Sequence, residues 1–333
     1  MLENVEVTGS VDIEPSRLTG DLDVRSLTAT GSVNISRADA GYFAAKITAL
    51  EELNFSRCQF TNGGVITCRT RHLSFVECDA RQPLTVASLV RDEPAKLISF
   101  PSTNLENFVL ADIDMTSTMF TSAVGLDRLT VEGEPRFLRS PVMLGASRQV
   151  VQDEVVVRSQ RKLRLFGKWR AGRWGKLVAD TPAVPTDMHK VAAIYRSLRK
   201  SREDSKDEPG GADFYYGEME MRRIAASPIS AERWLLTSYW LFAGYALRAW
   251  RAFLGLSLTL AVGSLLLYQF GYIKHHAMNI ITSGSLLLEI VIGIAKSPSG
   301  LTQPGVLVLT VARFLMAAFL AMALVALRSR VKR

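Results

Sequence analysis

Three six-residue phrases recur near the start of the chain at a period of 11: TGSVDI at Thr8 to Ile13, TGDLDV at Thr19 to Val24 and TGSVNI at Thr30 to Ile35. In each, two apolar residues flank a polar one (Val11 and Ile13, Leu22 and Val24, Val33 and Ile35). That is the period-two pattern of a very short half-buried strand, and the preceding Thr-Gly supplies a turn. Strands this short bury no core alone. Stacked coil upon coil they do, so self-similarity at fixed spacing points to a solenoid.

Beyond Val33 the period becomes five. The pairs Val33/Ile35, Ala38/Ala40, Phe43/Ala45, Thr48/Leu50, Leu53/Phe55, Cys58/Phe60, Gly63/Val65, Cys68/Thr70, Leu73/Phe75 and Cys78/Ala80 place mostly small or apolar residues at equivalent positions. Residues 81–97 blur the phase and predict a distorted coil or loop. It returns in Ile98/Phe100, Thr103/Leu105, Phe108/Leu110, Ile113/Met115 and Thr118/Phe120. The expected inward set includes Phe55, Cys58, Phe60, Phe75, Cys78, Leu105, Leu110, Met115 and Phe120.

SRCQF, STNLE and STMFT within this stretch are imperfect forms of a unit with a central Leu or Phe two residues after a small one. In this the chain resembles the pentapeptide-repeat family. The resemblance implies an all-β, right-handed quadrilateral β-helix with about 20 residues per coil. About six coils at the strand spacing of about 4.8 Å make a rod on the order of 30 Å long. The three cysteines, Cys58, Cys68 and Cys78, are then core residues on two faces rather than a redox or metal set, because a buried Cys behaves as a small hydrophobe. An odd count is no secreted disulfide framework. Met1 opens into ENVEVTG without a basic region or an apolar run, so a cytosolic N-terminal part is expected.

Charge divides the chain. Residues 1–140 hold 13 Lys/Arg against 19 Asp/Glu, a net of −6, which leaves +14 for residues 141–333 out of a total of +8. Arg158, Arg161, Lys162, Arg164, Lys168, Arg170, Arg173 and Lys176 fall in one stretch without an acid, interleaved with Trp169 and Trp174. Such a stretch suits an anionic lipid surface better than nucleic acid when membrane spans lie nearby. After it, Val191, Ile194, Tyr195 and Leu198 form one apolar stripe. Pro209-Gly210-Gly211 is expected to break it before a second helix from Phe214 to Arg223, and Glu218 and Glu220 on that helix read as a solvated face.

The C-terminal third changes material. Residues 252–273 carry no charge and residues 305–327 carry only Arg313, each long enough to cross about 30 Å of hydrocarbon. Residues 234–250, with Trp234, Trp240 and Trp250, predict a helix lying at the interface. Residues 283–295 are apolar apart from Glu289, too short to span, and predict a half-span. Glu289 and Arg313 are the candidate polar pair of the apolar segments, since ionisable groups there tend to pair or face water. Arg248, Arg251, Arg328, Arg330, Lys332 and Arg333 lie on one side, against Lys274 and Lys296 in the connection, so both termini are expected in the cytoplasm.

Thus four regions are expected: a β-helix over 1–140, a basic linker over 141–186, a helical hairpin over 187–232 and a membrane domain over 233–333. FYYGEMEMRR, SYWLFAGYALRAWRAF and the span, half-span, span outline resemble bacterial inner-membrane proteins that join pentapeptide repeats to a two-helix channel-like domain. The potassium-filter strand is missing, because VIGIAKSPSG follows the half-span in place of a Thr-Val-Gly-Tyr-Gly run. Some sequences with this resemblance are labelled membrane-associated oxidoreductases. Here no G-x-G-x-x-G, C-x-x-C or C-x-x-C-H motif is present, so neither an enzyme nor a cofactor or metal site is expected. The expectation is a membrane-anchored scaffold with a protein partner on the β-helix, and a homo-oligomer or pore through its spans is the alternative.

Overall fold

The computed structural model describes residues 3–14, 20–142, 147–160, 173–178, 186–245, 247–270, 280–291 and 301–331. These fall into two units, Met1–Ala225 and Ala226–Arg333.

The first unit is a parallel β-solenoid of about six turns. Its strands are β1 (Val5–Val7), β2 (Val11–Ile13), β3 (Leu22–Ala29), β4 (Val33–Ser36), β5 (Asp39–Ala40), β6 (Phe43–Ala49), β7 (Glu52–Ser56) and β8 (Gln59–Phe60). They continue as β9 (Gly64–Arg69), β10 (His72–Val76), β11 (Asp79–Ala80), β12 (Leu84–Ser88), β13 (Leu97–Ser99), β14 (Phe108–Ala111) and β15 (Thr130–Glu132). The strands stack in three ladders, ordered β1-β3-β6-β9-β12-β14-β15, β2-β4-β7-β10-β13 and β5-β8-β11. Val11 lies beneath Val33 and Ile13 beneath Ile35, so the opening period of 11 is half of one 22-residue coil. Val33 in turn pairs with Leu53, and Leu53 with Leu73, at 20 residues per coil.

The five-residue phase fails at two places on the long first ladder and at one on the second. Leu50 is 52% exposed and Val65 is 40% exposed, whereas Ile47, Ala49, Ile66 and Cys68 are buried. The strands there alternate straight through Phe43, Ala45, Ile47 and Ala49, with no three-residue step for a corner. Gly63 and Gly64, at φ of 69° and 150°, take up one extra residue before β9 and move its inward set by one. Residues 81–97 are part of a coil lengthened by an insertion: Leu73 pairs with Leu97, 24 residues on, and Leu97 rather than Ile98 points inward.

The interior is a stack of aromatic rings. Phe55 and Phe75 are parallel at 4.9 Å, Phe75 and Phe100 follow at 6.0 Å, and Phe43, Phe60 and Phe108 meet the column edge-on. Phe55, Cys58, Phe60, Phe75, Cys78, Leu105, Leu110, Met115 and Phe120 are all buried in this core. Polar ladders run outside it. Asn54 donates to Asn34 at 3.0 Å and Asn34 to Asp12 at 2.7 Å, each one coil below. Arg37, Arg57 and Glu77 share a corner in the left-handed region, at φ of 54°, 54° and 53°. Each such residue costs roughly 1 kcal/mol, offset by an N–H bond to the next coil at 2.8 Å.

The cysteines play two packing roles. The Cys58 thiol meets the Ile35 carbonyl at 3.4 Å and the Cys78 thiol meets that of Phe55 at 3.5 Å, the same bond that the Thr103 hydroxyl makes to Phe75 at 3.0 Å. Cys68 is buried in β9, and burial pushes its thiol up to about 12. Cys78→Thr is therefore expected to cost less than about 1.5 kcal/mol. Cys68→Ser buries a hydroxyl with no ready acceptor and should cost about 1–3 kcal/mol. Thermal melts of the two variants check this, and an equal loss would count against the shared thiol and hydroxyl role.

The parallel ladders end with β15. A hairpin of β16 (Leu138–Arg139) and β17 (Gln149–Val150) leads into α1 (Gln152–Gln160), and α2 (Met188–Asp204) packs closely on α3 (Glu208–Ala225). All belong to the first unit. Pro209-Gly210-Gly211 opens α3 instead of preceding it, because a proline in the first turn forfeits only an N–H that has no partner there. The Asp207 carboxylate accepts from the Gly210 N–H at 3.1 Å and caps that end.

The second unit contains α4 (Ala231–Ala243), α5 (Ala249–Phe270), α6 (Ile280–Val291) and α7 (Gln303–Val331). The expected interfacial helix over 234–250 is broken. Gly244 takes a left-handed φ of 52°, its N–H bonds to the Trp240 carbonyl, and α4 ends there. Windows of α5 (Trp250–Phe270) and α7 (Gln303–Leu324) are long and apolar enough to cross a membrane. Only 17% and 28% of their residues are buried, which separates them from the core helices of a soluble protein. Phe253, Leu258, Leu307, Phe314 and Leu324 are among the large apolar side chains left exposed.

Candidate functional site

The end of the solenoid is closed by a buried polar cluster. The strand edge of the last coils presents N–H groups that need acceptors. Asp153 in α1 supplies one, accepting from the Phe120 N–H at 3.0 Å and from the Thr121 hydroxyl. Next to it Glu154, fully buried, is gripped by Arg148 at 2.6 and 2.7 Å, by Arg158 at 2.6 Å and by the Tyr195 hydroxyl from α2. Arg158 continues to Glu220 of α3 at 3.1 Å, and Glu220 also holds Arg223 at 3.0 Å. One chain of charges thus joins the hairpin, α1, α2 and α3. Gly217 makes the close fit possible, since a Cβ there would stand 2.7 Å from the Tyr195 ring.

Electrostatics hold this cluster charged. Burial pushes the Glu154 carboxyl up, but the Arg148 and Arg158 guanidinium groups outweigh it and keep the carboxyl below its ordinary range. Glu220, opposed by burial and favoured by Arg158 and Arg223, is held down at about 2. Burial raises Asp153 beyond what its bonds from the Phe120 N–H and the Thr121 hydroxyl offset. Tyr195 is pushed up by burial and by Glu154, and stays a donor. A carboxylate so fully occupied by bonds has no lone pair left for substrate. The cluster is suited to locking helices onto the solenoid rather than to acid or base chemistry.

Glu218 and Glu220, expected on a solvated face, are both buried. Glu218 receives Arg196 and Arg199 at 3.0 Å each. The two lie about 200° apart around α3, Glu218 toward α2 and Glu220 toward Arg158 of α1, so both charges serve packing. Arg158 departs from the basic lipid-facing set for the same reason. Its guanidinium lies between Glu154, Glu220 and the Trp174 ring, 4.9 Å from the ring centre. Arg173 donates to the Val142 carbonyl at 2.8 Å and Lys176 is exposed. Arg161, Lys162, Arg164, Lys168 and Arg170 lie outside the described residues.

In the second unit, Glu289 of the candidate pair is exposed on α6. α6 buries Ser283 and Leu287, one turn apart. Glu289 lies two residues beyond Leu287, about 200° around the helix, on the opposite face. Arg313 is half-buried on α7, one turn from the buried Leu309 and Met316. Arg251 enters the first turn of α5, bonds to the Trp240 carbonyl at 2.8 Å and packs on the Trp240 ring. The stretch 292–300, which stands in place of a filter strand, is outside the described residues.

Two open grooves mark the first unit. One of about 860 Å³ lies under the inserted loop, between Arg69, Arg71, His72 and Lys96 on one hand and Glu51 and Asp114 on the other. The other, about 610 Å³, is lined by Glu132, Asp204, Asp207 and the buried Arg202. Arg202 bonds to Asp207 at 2.8 Å and rests on the Phe137 ring at 5.0 Å. Among the described residues no cluster of three His, Cys, Asp or Glu could hold a metal ion.

Comparison with family models, curated proteins and solved structures finds no match for the chain. The cap residues Arg148, Asp153, Glu154 and Tyr195 were not singled out as a site by sequence reasoning. Their one signal is QDEVVV, two acids placed directly against three valines, which on a helix puts charge where burial is expected.

Proposed function

We propose that the chain is a membrane-anchored scaffold, a pentapeptide-repeat type solenoid held at the inner membrane of a bacterium with both termini in the cytoplasm. The observation that supports it is the contrast between the units. The solenoid carries hydrogen-bonded polar ladders and an internally neutralised cap, whereas α5 and α7 leave most of their apolar surface uncovered. Bilayer lipid covers such surface at about 25 cal/mol per Å². The basic stretch, from Arg161 to Lys176, would then meet anionic headgroups at about 1 kcal/mol per residue, and a protein partner would bind the rod.

The test is membrane fractionation. The full chain should stay in the pellet after an alkaline carbonate wash, and a variant lacking residues 231–333 should move to the supernatant. Release of the full chain by the wash would overturn the anchor.

A pore is the second reading, favoured by one observation: the short helix α6 packs against both long helices, as a half-span does. Ion flux through liposomes holding the purified chain separates the two. Flux well above protein-free liposomes, abolished by Arg313→Leu, would favour the pore.

A further inference from the structure

The two ends of the solenoid differ. At the C-terminal end Asp153 and the helices close the last coil. At the other end, β1 pairs only with β3 and β2 only with β4, and among the described residues no strand meets their outer edges. Inward positions whose partners in the next coil, Leu27, Ala29, Val33 and Ile35, are buried stay partly open there, at Val5, Val7, Val11 and Ile13. Half of the peptide groups of a parallel strand point to each side, so this edge offers unpaired N–H and C=O groups.

The side chains say what would fit. Three separate polar columns descend to this coil, and each ends in a carboxylate. Asn54 donates to Asn34 and Asn34 to Asp12; Arg37 donates to Glu14; Arg25 donates to Glu3. A carboxylate only accepts, so the next member of each column must be a donor. Residues 3–14 hold Glu3, Glu6, Asp12 and Glu14 and no Lys or Arg, a local charge of −4. A second copy presenting the same end would set carboxylate against carboxylate.

We propose that the open N-terminal coil is a strand-addition site for an extended basic peptide segment of a partner protein, with apolar residues alternating with Lys or Arg. Backbone bonds to β1 and β2 extend the ladders, apolar side chains continue the core, and basic side chains complete the three columns. This names a partner class for the scaffold reading. Its test needs no membrane, so its failure leaves the anchor standing.

The full chain in detergent micelles is titrated with a labelled peptide of alternating Val and Lys/Arg, and with the same peptide carrying Glu in place of the basic residues. The basic peptide should bind, the acidic one should not, and the triple variant Glu3→Gln, Asp12→Asn, Glu14→Gln should weaken binding at least tenfold. The variant keeps the columns bonded, as Asn34 shows at the equivalent position. Hydrogen exchange should slow at Val5–Val7 and Val11–Ile13 on binding. Unchanged affinity in the triple variant, or no protection at those amides, would overturn the proposal, as would self-association of the chain through this coil.

Discussion

Phe75→Ala is expected to destabilise the solenoid by about 3–5 kcal/mol, seen as a lowered thermal midpoint in detergent. Phe75 is fully buried, parallel to Phe55 at 4.9 Å and to Phe100 at 6.0 Å, and edge-on to Phe108 at 5.4 Å. Neighbouring coils cannot collapse into the gap, because their separation is set by the backbone ladder at about 4.8 Å. The lost ring therefore leaves most of its volume empty. Phe75→Leu should recover over half of the loss, and Phe75→Asp, which buries an unpaired charge, should prevent folding. Leu50→Ala is the control. A strict five-residue phase makes Leu50 a core residue, whereas it is 52% exposed, so the change should fall within about 0.5 kcal/mol. Equal losses at the two positions would overturn the register of the first ladder.

That control marks where the sequence was legible. The repeat predicts a solenoid and its inward column through Phe55, Phe75, Leu105 and Phe120, since a short period repeated many times leaves one way to bury both residues of each pair. It fails at Leu50, because a strand that runs straight keeps period two and discards the corner, and at Val65, because Gly63-Gly64 takes up one extra residue. The pattern of apolar residues is nearly the same in both cases. Only the ladder above and below decides between them. Likewise Gly244 is the residue that ends α4, yet within WLFAGYALRAW the apolar run continues across it and conceals the break. The two long apolar helices were plain from length and composition. The cap was not, because Arg158 and Glu220 meet across 62 residues of chain, and a charge pair of that separation leaves no local trace.

Removing the Glu154 charge tests the cap itself. In Glu154→Gln, Arg148 and Arg158 remain buried without their shared counter-ion, and the expected loss is about 3–5 kcal/mol. Glu218→Gln should cost about 1 kcal/mol, because Arg196 is 60% exposed and water can take the place of its partner. Acid gives an independent measure. Glu154 and Glu220 both titrate below their ordinary range when folded, so the stability they contribute is present above about pH 4.5 and is lost as pH falls toward their folded values. For Glu220, held at about 2, the shift corresponds to about 3 kcal/mol between pH 4.5 and 2. Asp153 works the other way. Its raised carboxyl contributes most below its ordinary value and loses that contribution as pH rises, so it adds nothing to the acid loss. Urea unfolding of the full chain in detergent, followed from pH 6 to pH 2.5, should show stability falling below about pH 4.5, with a shallower fall in Glu220→Gln. The same slope in wild type and variant would mean that Arg158 and Arg223 do not hold Glu220 ionised, and that the helices are locked to the solenoid by packing alone.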